Sequence, residues 1–477
     1  MVIVFSFLFF LAVFAFIGLL SARKAQGNRS DYYVASNSVK PWLVGLSAVA
    51  TNNSGYMFIG VIGYTYTVGL ASIWLVVGWI LGDFLASQFI HRHFREATAR
   101  TEEVTYGGVL SQWYGTELNR LRRTAGLITV IFLGTYAAAQ LNAGSKALYV
   151  LFDWPFYAGA LIGAILVVGY CFAGGIRASI WTDAAQSFVM FGAMLTLLYA
   201  TVTALGGPKE AWAEMGEIEG FLNWTPTDTL VPGVAGLAFF VLGWLFGGFS
   251  VAGQPHVMVR FMALDDPNHM TRARLYYYLW YTSFYFMATG VGMLSRVYLP
   301  ESQNFDPELA LPTIGLQLLP DMLVGLLLAG IFAATMSTAD SLVLACSAAF
   351  THDLLPQRLE NMGEIKTATV VVTALALAIA LSNNEDVFTL VILSWSFLAS
   401  AFVPLLLIYI MGGKPTDQQA LTILSMGVGV AIAWRWLEFH HALYEGMPGI
   451  LAGLATYGVL RLFGKVDTLS KGESSTK

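Results

Sequence analysis

Apolar residues in this chain come in runs of roughly 20 separated by short polar stretches, which is the length at which an α-helix crosses the hydrocarbon core of a bilayer. Thirteen such runs are marked, approximately at 2–20, 42–64, 70–91, 124–150, 156–174, 178–205, 232–255, 275–298, 321–350, 366–382, 387–411, 418–436 and 446–464. An odd number of crossings puts the termini on opposite sides. Lys and Arg test the count, because short cytoplasmic loops concentrate them. Of the 25 basic residues, 21 follow the odd-numbered spans or lie in the tail, and only Lys146, Lys209, Arg296 and Arg435 fall on the other side. The alternation predicts an N-terminus outside and a C-terminus in the cytoplasm. The first run lacks a basic start and an Ala-x-Ala site and is followed by Arg23-Lys24, so a retained helix is expected rather than a cleaved signal.

Composition agrees with a polytopic α-helical membrane protein. Apolar residues make up 56% and charged ones 12%, and the mean hydropathy is +0.64, values that exclude an ordinary soluble enzyme. The net charge of −5 says little about partners. Cys171 and Cys346 both sit in apolar segments and read as small buried side chains. The sequence holds no phosphate loop, no zinc-spaced His or Cys set and no nucleophile triad, so no catalytic residue and no cofactor is expected. His256, His269 and His352 fall in expected cytoplasmic loops, in solvated or headgroup-facing positions. Ala97 to Gly115, with Glu102, Glu103, Trp113 and Tyr114, reads as an interfacial stretch with its aromatics at headgroup level. The partners expected are the lipid bilayer, a coupling ion and a small solute, with no nucleic acid and no obligatory protein partner. The expected location is a bacterial cytoplasmic (inner) membrane.

Three interruptions of the apolar pattern carry the chemistry. Span 2 contains Ala50-Thr-Asn-Asn-Ser-Gly55 and span 7 contains Phe246-Gly-Gly-Phe-Ser-Val-Ala-Gly-Gln-Pro255. Such residues free backbone groups, which a bilayer permits only where they face protein or a water-filled cavity. The two breaks lie five spans apart, an odd number, so a five-helix unit starting at span 2 recurs inverted from span 7. That is the plan of many secondary transporters, which bind solute and ion at the breaks near the midplane. The chain then divides into a peripheral first helix and loop (1–41), a first repeat (42–205), an external loop (206–231), a second repeat (232–411), and two peripheral helices with a short tail (412–477). The third interruption is Gly330 to Ser341. At about 100° per residue, Ala334, Ser337, Thr338 and Ser341 share one helical stripe with Asp340 at its edge. Ionisable groups inside a membrane are functional by default, and this stripe reads as a cation site. Asp183 lies near the start of span 6, where a structural role at the helix end competes with ion binding. Asp83, in span 3, reads as a structural polar contact.

Ser47-Ala-Val-Ala-Thr-Asn-Asn-Ser-Gly55, Trp181-Thr-Asp183, Gly253-Gln-Pro-His256, Arg260-Phe-Met-Ala263 and Ala334-Thr-Met-Ser-Thr338 together resemble the sodium/solute symporter family, nearest to its sodium/proline branch. The similarity runs in order from about Ser30 to Met411. The resemblance implies thirteen spans, an outside N-terminus, a five-plus-five inverted core, and Na⁺ driving uptake of a small organic solute such as an amino acid or carboxylate. It also implies a first sodium site from the carbonyls of Ala50, Asn53 and Ala334 with the hydroxyls of Ser337 and Thr338. A hard cation of this kind prefers several oxygen ligands. Members that move two sodium ions have a second site resembling Asp183, Ser337, Asp340 and Ser341 here. Asp340 stands where some relatives carry serine, so proton coupling through Asp183 and Asp340 stays open as an alternative, as does a non-transporting sensor or channel. The solute is expected between the breaks, at Ser54, Gly55 and Tyr56, Tyr136 and Gln140, and Gly247, Val251 and Pro255. Sodium/proline symporters have aromatic residues at the positions of Gly247 and Val251 and an aspartate at that of Asn52. Proline therefore fits poorly, unless Trp244 refills the space, and the sequence leaves the solute unnamed. The number of ions matters: a potential of 100 mV supplies about 2.3 kcal/mol per charge, or roughly 1.7 decades of accumulation for one ion at about 1.36 kcal/mol per decade.

Overall fold

The computed structural model describes residues 1–23, 26–227, 229–299, 305–382 and 386–463. Lys24, part of the external loop beginning at Pro300, and the expected cytoplasmic tail from 464 onward lie outside the described residues. The apolar runs become helices: α1 (Val2–Ala22), α2 (Pro41–Gly55), α3 (Val61–Val68), α4 (Ile73–Phe89), α5 (Asn119–Phe152), α6 (Phe156–Ala204), α7 (Val234–Phe249), α8 (Pro255–Met262), α9 (Met270–Tyr298), α10 (Asp321–Ala348), α11 (Met362–Ser382), α12 (Val387–Ile410), α13 (Asp417–Trp436) and α14 (Gly446–Leu462). Helix α6 holds spans 5 and 6, divided where Gly174 (φ −166°, ψ 18°) and Gly175 (φ 58°, ψ −144°) leave helical geometry. Among the described residues the only β-type pairing is one isolated bridge between Val39 and Leu264.

Both expected breaks are present. Span 2 is interrupted after α2, where Ser54 takes φ 46°, ψ −178°, and resumes through a wider turn at Tyr56–Gly60 into α3. Span 7 ends α7 at Phe249, passes a tight turn at Ser250–Gly253 and an extended Gln254 (φ −98°, ψ 103°), and restarts at Pro255. Proline suits this first helical position, where its missing N–H has no intrahelical partner to lose. Side-chain amides meet the freed backbone. The Gly55 N–H donates to Gln140 Oε1 at 2.8 Å, and Gln254 Nε2 donates to the carbonyls of Ser250 (3.0 Å) and Trp395 (3.1 Å).

Helix α10 is the hub. From Leu327 to Leu344 every residue is buried, against α6, α5, α1 and α2. By contrast α1 exposes Phe5, Leu8, Phe9 and Phe16 along its length, a face suited to lipid. Small residues set the closest helix approaches, as membrane interfaces favour. A Cβ on Gly82 would lie 1.8 Å from Leu245 O and one on Gly248 1.9 Å from Trp79 O, so α4 and α7 touch backbone to backbone.

Two sequence expectations fail here for one reason. The Ala97 to Gly115 stretch is a surface only in part: it forms parts of helices His91–Thr101 and Tyr106–Ser111, with Glu102 and Tyr114 exposed but Glu103 and Trp113 buried and Trp113 stacked on Tyr409 at 5.4 Å. His352 is likewise buried, its Nε2 2.6 Å from Glu103 Oε2, while Arg122 reaches Glu103 with one arm and Glu117 with the other at 2.6 Å. Burial pushes the Glu103 carboxyl up, but the hydrogen bond and charge of His352 and the Arg122 guanidinium outweigh it and hold the group below its ordinary value. Charges that read as solvated loops instead neutralise one another and close the bundle at the end where basic residues gather. His269, with Asp265 at 3.0 Å and 38% of its side chain exposed, is the solvated one.

Gly248→Val forces a branched side chain into the α4–α7 contact, so an apparent melting temperature several degrees lower and reduced monodisperse yield are expected, equivalent to roughly 1–3 kcal/mol of overpacking. Gly192→Ala, where a Cβ meets nothing within 4 Å, is the control and leaves both unchanged.

Candidate ion and solute site

Helix α10 lies beside the last turn of α2, and their oxygens converge. Ser337 Oγ donates to Ala50 O (3.3 Å) and to Ala334 O (3.2 Å), and Thr338 Oγ1 donates to Thr51 O (2.9 Å). Four of the five expected first-site residues therefore meet at one buried point, joined by the carbonyl of Thr51, which the sequence reading missed. The fifth is adjacent: the Asn53 carbonyl accepts the Tyr56 N–H, while both polar atoms of its buried side-chain amide have no hydrogen-bond partner. These oxygens sit at the negative end of a helix dipole and carry no formal charge, a donor set matched to a hard monovalent cation.

One turn along α10 a second cluster forms, and its composition was not foreseen. Asp183 Oδ2 accepts from Ser47 Oγ (2.6 Å) and Asp340 Oδ1 accepts from Ser179 Oγ and Ser341 Oγ (3.0 Å each). Between them lies the guanidinium of Arg260. Its Nη2 donates to Ser179 Oγ (2.7 Å), to Asp183 Oδ2 (3.1 Å) and to Ser341 Oγ, its Nε to Ser47 Oγ (3.3 Å), and its Nη1 to the His256 carbonyl (3.0 Å). Arg260 and Asp183 are both 0% exposed. The structure brings Asp183, Asp340 and Ser341 together as expected but not Ser337, whose hydroxyl turns to the first cluster and whose carbonyl alone accepts from Ser341. Thr51 bridges the clusters, with its carbonyl in the first and its hydroxyl 3.3 Å from Ser341 Oγ and 3.4 Å from Asp183 Oδ2.

The expected solute residues gather less evenly. Around the breaks, Tyr56 and Trp79 stand 6.0 Å apart, Trp79 and Trp395 5.4 Å, Tyr136 and Trp395 6.4 Å, and Tyr136 and His256 5.3 Å. Tyr56 Oη, Trp79 Nε1, Tyr136 Oη, Gln140 Nε2, Trp395 Nε1, Gln254 Oε1 and both His256 ring nitrogens are buried without a hydrogen-bond partner. Such orphans are few in proteins and each calls for an explanation; these eight atoms gather around the two helix breaks. Ser54 and Gly55 belong to the turn itself, Ser54 Oγ accepting the Tyr56 N–H at 3.1 Å, and Gly55 having no room for a Cβ beside Thr335, Ala143 and Gln140. Val251 is fully buried in the tight turn. A Cβ on Gly247 would meet Trp244 Cε3 at 3.2 Å and Trp79 Cε3 at 3.3 Å, so indole rings fill the space at that position. Pro255 stands apart, bordering a small cavity with Tyr33, Tyr106 and Leu344 toward the basic end. His256, expected in a loop, is fully buried in α8 with its ring against Tyr136 and Trp395. The missed residues Trp79, Trp395 and His256 left no local signal, whereas Arg260 did: it is a cation inside the apolar half-helix Val257-Met-Val-Arg-Phe-Met262.

Asp83 has the structural contact expected. Tyr277 Oη donates to Asp83 Oδ2 (2.8 Å) and accepts from Asn52 Nδ2 (2.5 Å), which ties α4, α9 and α2 together beside the aromatic box formed by Tyr56, Trp79, Tyr136, His256 and Trp395. Beyond the box, at the end away from the basic residues, a cavity of about 630 Å³ is lined by Tyr64, Trp244, Phe388, Arg435, Tyr444 and Glu445. The stack Trp79–Trp244–Tyr444, with centroids 5.7 and 5.8 Å apart, separates cavity from box.

The model of the family described as the Sodium:solute symporter family matches residues 32–427. The high-affinity proline transporter PutP of Bacillus subtilis is 27% identical over 443 residues, covering 91% of this chain and 92% of that protein. The sodium/proline symporter of Staphylococcus aureus is 28% identical over 469 residues, covering 94% and 90%. In structure the chain is similar to a Na⁺-coupled sialic acid symporter in its substrate-bound outward-open state, with a TM-score of 0.79 at 18% identity over 96% of this chain and 98% of that one. It is also similar to the nucleobase-cation symporter Mhp1 (TM-score 0.57, 16% identity, 93% and 97% covered). The five-plus-five inverted core with broken first helices is the architecture these transporters have in common. With the family model matched over most of its length, the chain belongs to the sodium:solute symporter family.

Proposed function

We propose that Na⁺ binds at the junction of α2 and α10, on the carbonyls of Ala50, Thr51, Asn53 and Ala334 and the hydroxyls of Ser337 and Thr338, and drives uptake of a small organic solute held in the aromatic box. The observation that carries this reading is the bridging of Ala50, Thr51 and Ala334 carbonyls by the Ser337 and Thr338 hydroxyls across two helices. A cation arriving there replaces hydrogen bonds that already link the broken helix to the hub. Ion binding thus fixes the α2 break, and with it Gly55, Tyr56 and the box wall. Alternating access then follows from movement of the helices that carry the breaks about this point. The proposed orientation is the one the basic residues favour, N-terminus outside, so the cavity lined by Trp244 and Tyr444 faces outward and the Glu103–Arg122–His352 network closes the cytoplasmic side.

For the solute, the relatives' names point to amino acids and the aromatic box to a compact molecule with hydrogen-bonding groups. Trp79 Nε1, Trp395 Nε1 and Gln140 Nε2 are donors only, so oxygen acceptors such as a carboxylate fit this wall, and the solute class is a small amino acid or carboxylate.

Three outcomes test this. Ser337→Ala or Thr338→Ala is expected to weaken half-saturation by Na⁺ at least tenfold while leaving solute affinity at saturating Na⁺ within about threefold, since one ligand bond in a charge-assisted site is worth about 1.5–3 kcal/mol; equal losses in both contradict the site. A thermal-shift screen of the purified protein against amino acids, carboxylates and polyols should give stabilisation by one class that requires Na⁺, and uptake of that compound should stop when choline replaces Na⁺ at fixed pH. Undiminished uptake would mean a proton-coupled transporter instead. Trp395→Phe removes a donor and keeps the ring's bulk, so its KM for that compound should rise about tenfold, the equivalent of ~1.4 kcal/mol, with the Na⁺ response unchanged.

A further inference from the structure

The aromatic box is shut on its outer side by the Trp79–Trp244–Tyr444 stack and by Phe388, whose ring lies 5.4 Å from Tyr56, 5.1 Å from Tyr64 and 6.5 Å from Trp244. All of these rings but one stand on the helices and breaks of the two repeats. Tyr444 is the exception: it sits in the connection between α13 and α14, the pair that the sequence marks as peripheral. We infer that this connection is the outer latch of the solute site, with Tyr444 the positioning residue that closes the box and Arg435, Glu445 and Ser396 the bridge that holds it there. The inference rests on the outward face and the solute box of the reading given above.

Contacts on both walls of the mouth fasten this connection. Ser250 Oγ already donates to the Phe246 carbonyl (2.8 Å), so the Tyr444 hydroxyl donates to it (3.0 Å) and ties the ring to the second break. Leu443 fills the space over Gly243 of α7, where a Cβ would meet its Cδ1 at 2.7 Å. On the opposite wall Glu445 Oε1 accepts from Arg435 Nη1 at 2.7 Å and lies 3.1 Å from the hydroxyl of Ser396, the residue after Trp395 of the box. Glu445 is 1% and Arg435 18% exposed, so parting them would strand a nearly buried charge. Arg435 is one of the four basic residues that depart from the charge alternation, and this bridge gives it a task on the outer side. Helices α13 and α14 pack chiefly on α12 and on each other, and only lightly on α7. The hairpin therefore moves with α12, and its side-chain hold on α7 and the second break runs through Leu443 and Tyr444. Solute coming from the cavity of about 630 Å³ has to pass Trp244 and Tyr444, so the mouth opens when Tyr444 leaves Ser250 and Trp244 and closes when it returns. The strength of those two contacts sets the share of molecules whose box faces outside.

The test reads how fast a thiol beside the latch is modified from outside. In the full-length protein with Cys171→Ala and Cys346→Ala, Val251→Cys puts one thiol next to Ser250 at a fully buried position. Right-side-out membrane vesicles are treated with a small, charged, membrane-impermeant methanethiosulfonate, without solute or Na⁺. Modification is expected to be slow with the latch intact. Tyr444→Ala, which loses a stacked ring and a hydrogen bond, should raise the rate about tenfold or more, and Tyr444→Phe, which keeps the ring, only about threefold. Glu445→Gln should raise it as well, although Tyr444 itself is unchanged. Gly429→Ala on α13, where a Cβ meets nothing within 4 Å, should leave it as it was. Fast modification with the latch intact, no rise in any latch variant, or a rise only when inside-out vesicles are treated overturns the inference. So does a rise in Gly429→Ala as large as in Tyr444→Ala, which would report general loosening. If Tyr444→Ala is not recovered, Ser250→Ala removes the same hydrogen bond from the other side and decides together with Glu445→Gln: faster modification upholds the latch and an unchanged rate overturns it. Undiminished wild-type uptake in choline is a different failure, that of the Na⁺-symport reading, and leaves these rates as they are.

Discussion

A broken helix inside a membrane leaves carbonyls and N–H groups that lipid cannot satisfy, and the way this chain satisfies them determines the rest of its structure. At the first break the partners are hydroxyls of α10 and the Gln140 amide; at the second they are Gln254 and, one helix turn on, Arg260. These contacts reach across the bundle, so the breaks draw α2, α5, α6, α8, α10 and α12 into one core. What is left unsatisfied lies beside what is met: orphaned atoms of Tyr56, Trp79, Tyr136, Gln140, Trp395 and His256 gather around the two breaks.

Much of this was legible in sequence because bilayer physics is one-dimensional. Run length gives the spans, the charge alternation orders them, and a Thr-Asn-Asn-Ser-Gly or Gly-Gln-Pro inside an apolar run can only be a break. The stripe of Ala334, Ser337, Thr338 and Ser341 follows from helical periodicity alone, and the structure turns the hydroxyls of Ser337, Thr338 and Ser341 toward α2. Contacts between distant helices were not legible. Trp79 and Trp395 look like packing residues until α4 and α12 are seen to meet at the box. Arg260 counts as a loop charge until α8 is seen to be buried, although a cation flanked by Val, Met and Phe already argued against water around it. His256 was misread by the same route, since an assumed span end at Pro255 puts the next residue in solvent, whereas the proline starts a second buried half-helix.

The two clusters meet at Thr51, whose carbonyl belongs to one and whose hydroxyl belongs to the other. Movement at the α2–α10 junction is therefore mechanically connected to the Asp183–Arg260 pair and through α8 to the second break. Removing one partner of such a buried pair typically costs about 3–5 kcal/mol because the other charge stays behind, so the pair is a rigid strut between α6 and α8.

The most direct measurement is anomalous diffraction from crystals grown with Tl⁺ replacing Na⁺. A single peak among Ala50 O, Ala334 O, Ser337 Oγ and Thr338 Oγ1 is the expected result. No peak there, or the main peak between Asp183 and Asp340, contradicts the placing of the coupling ion at the break of α2.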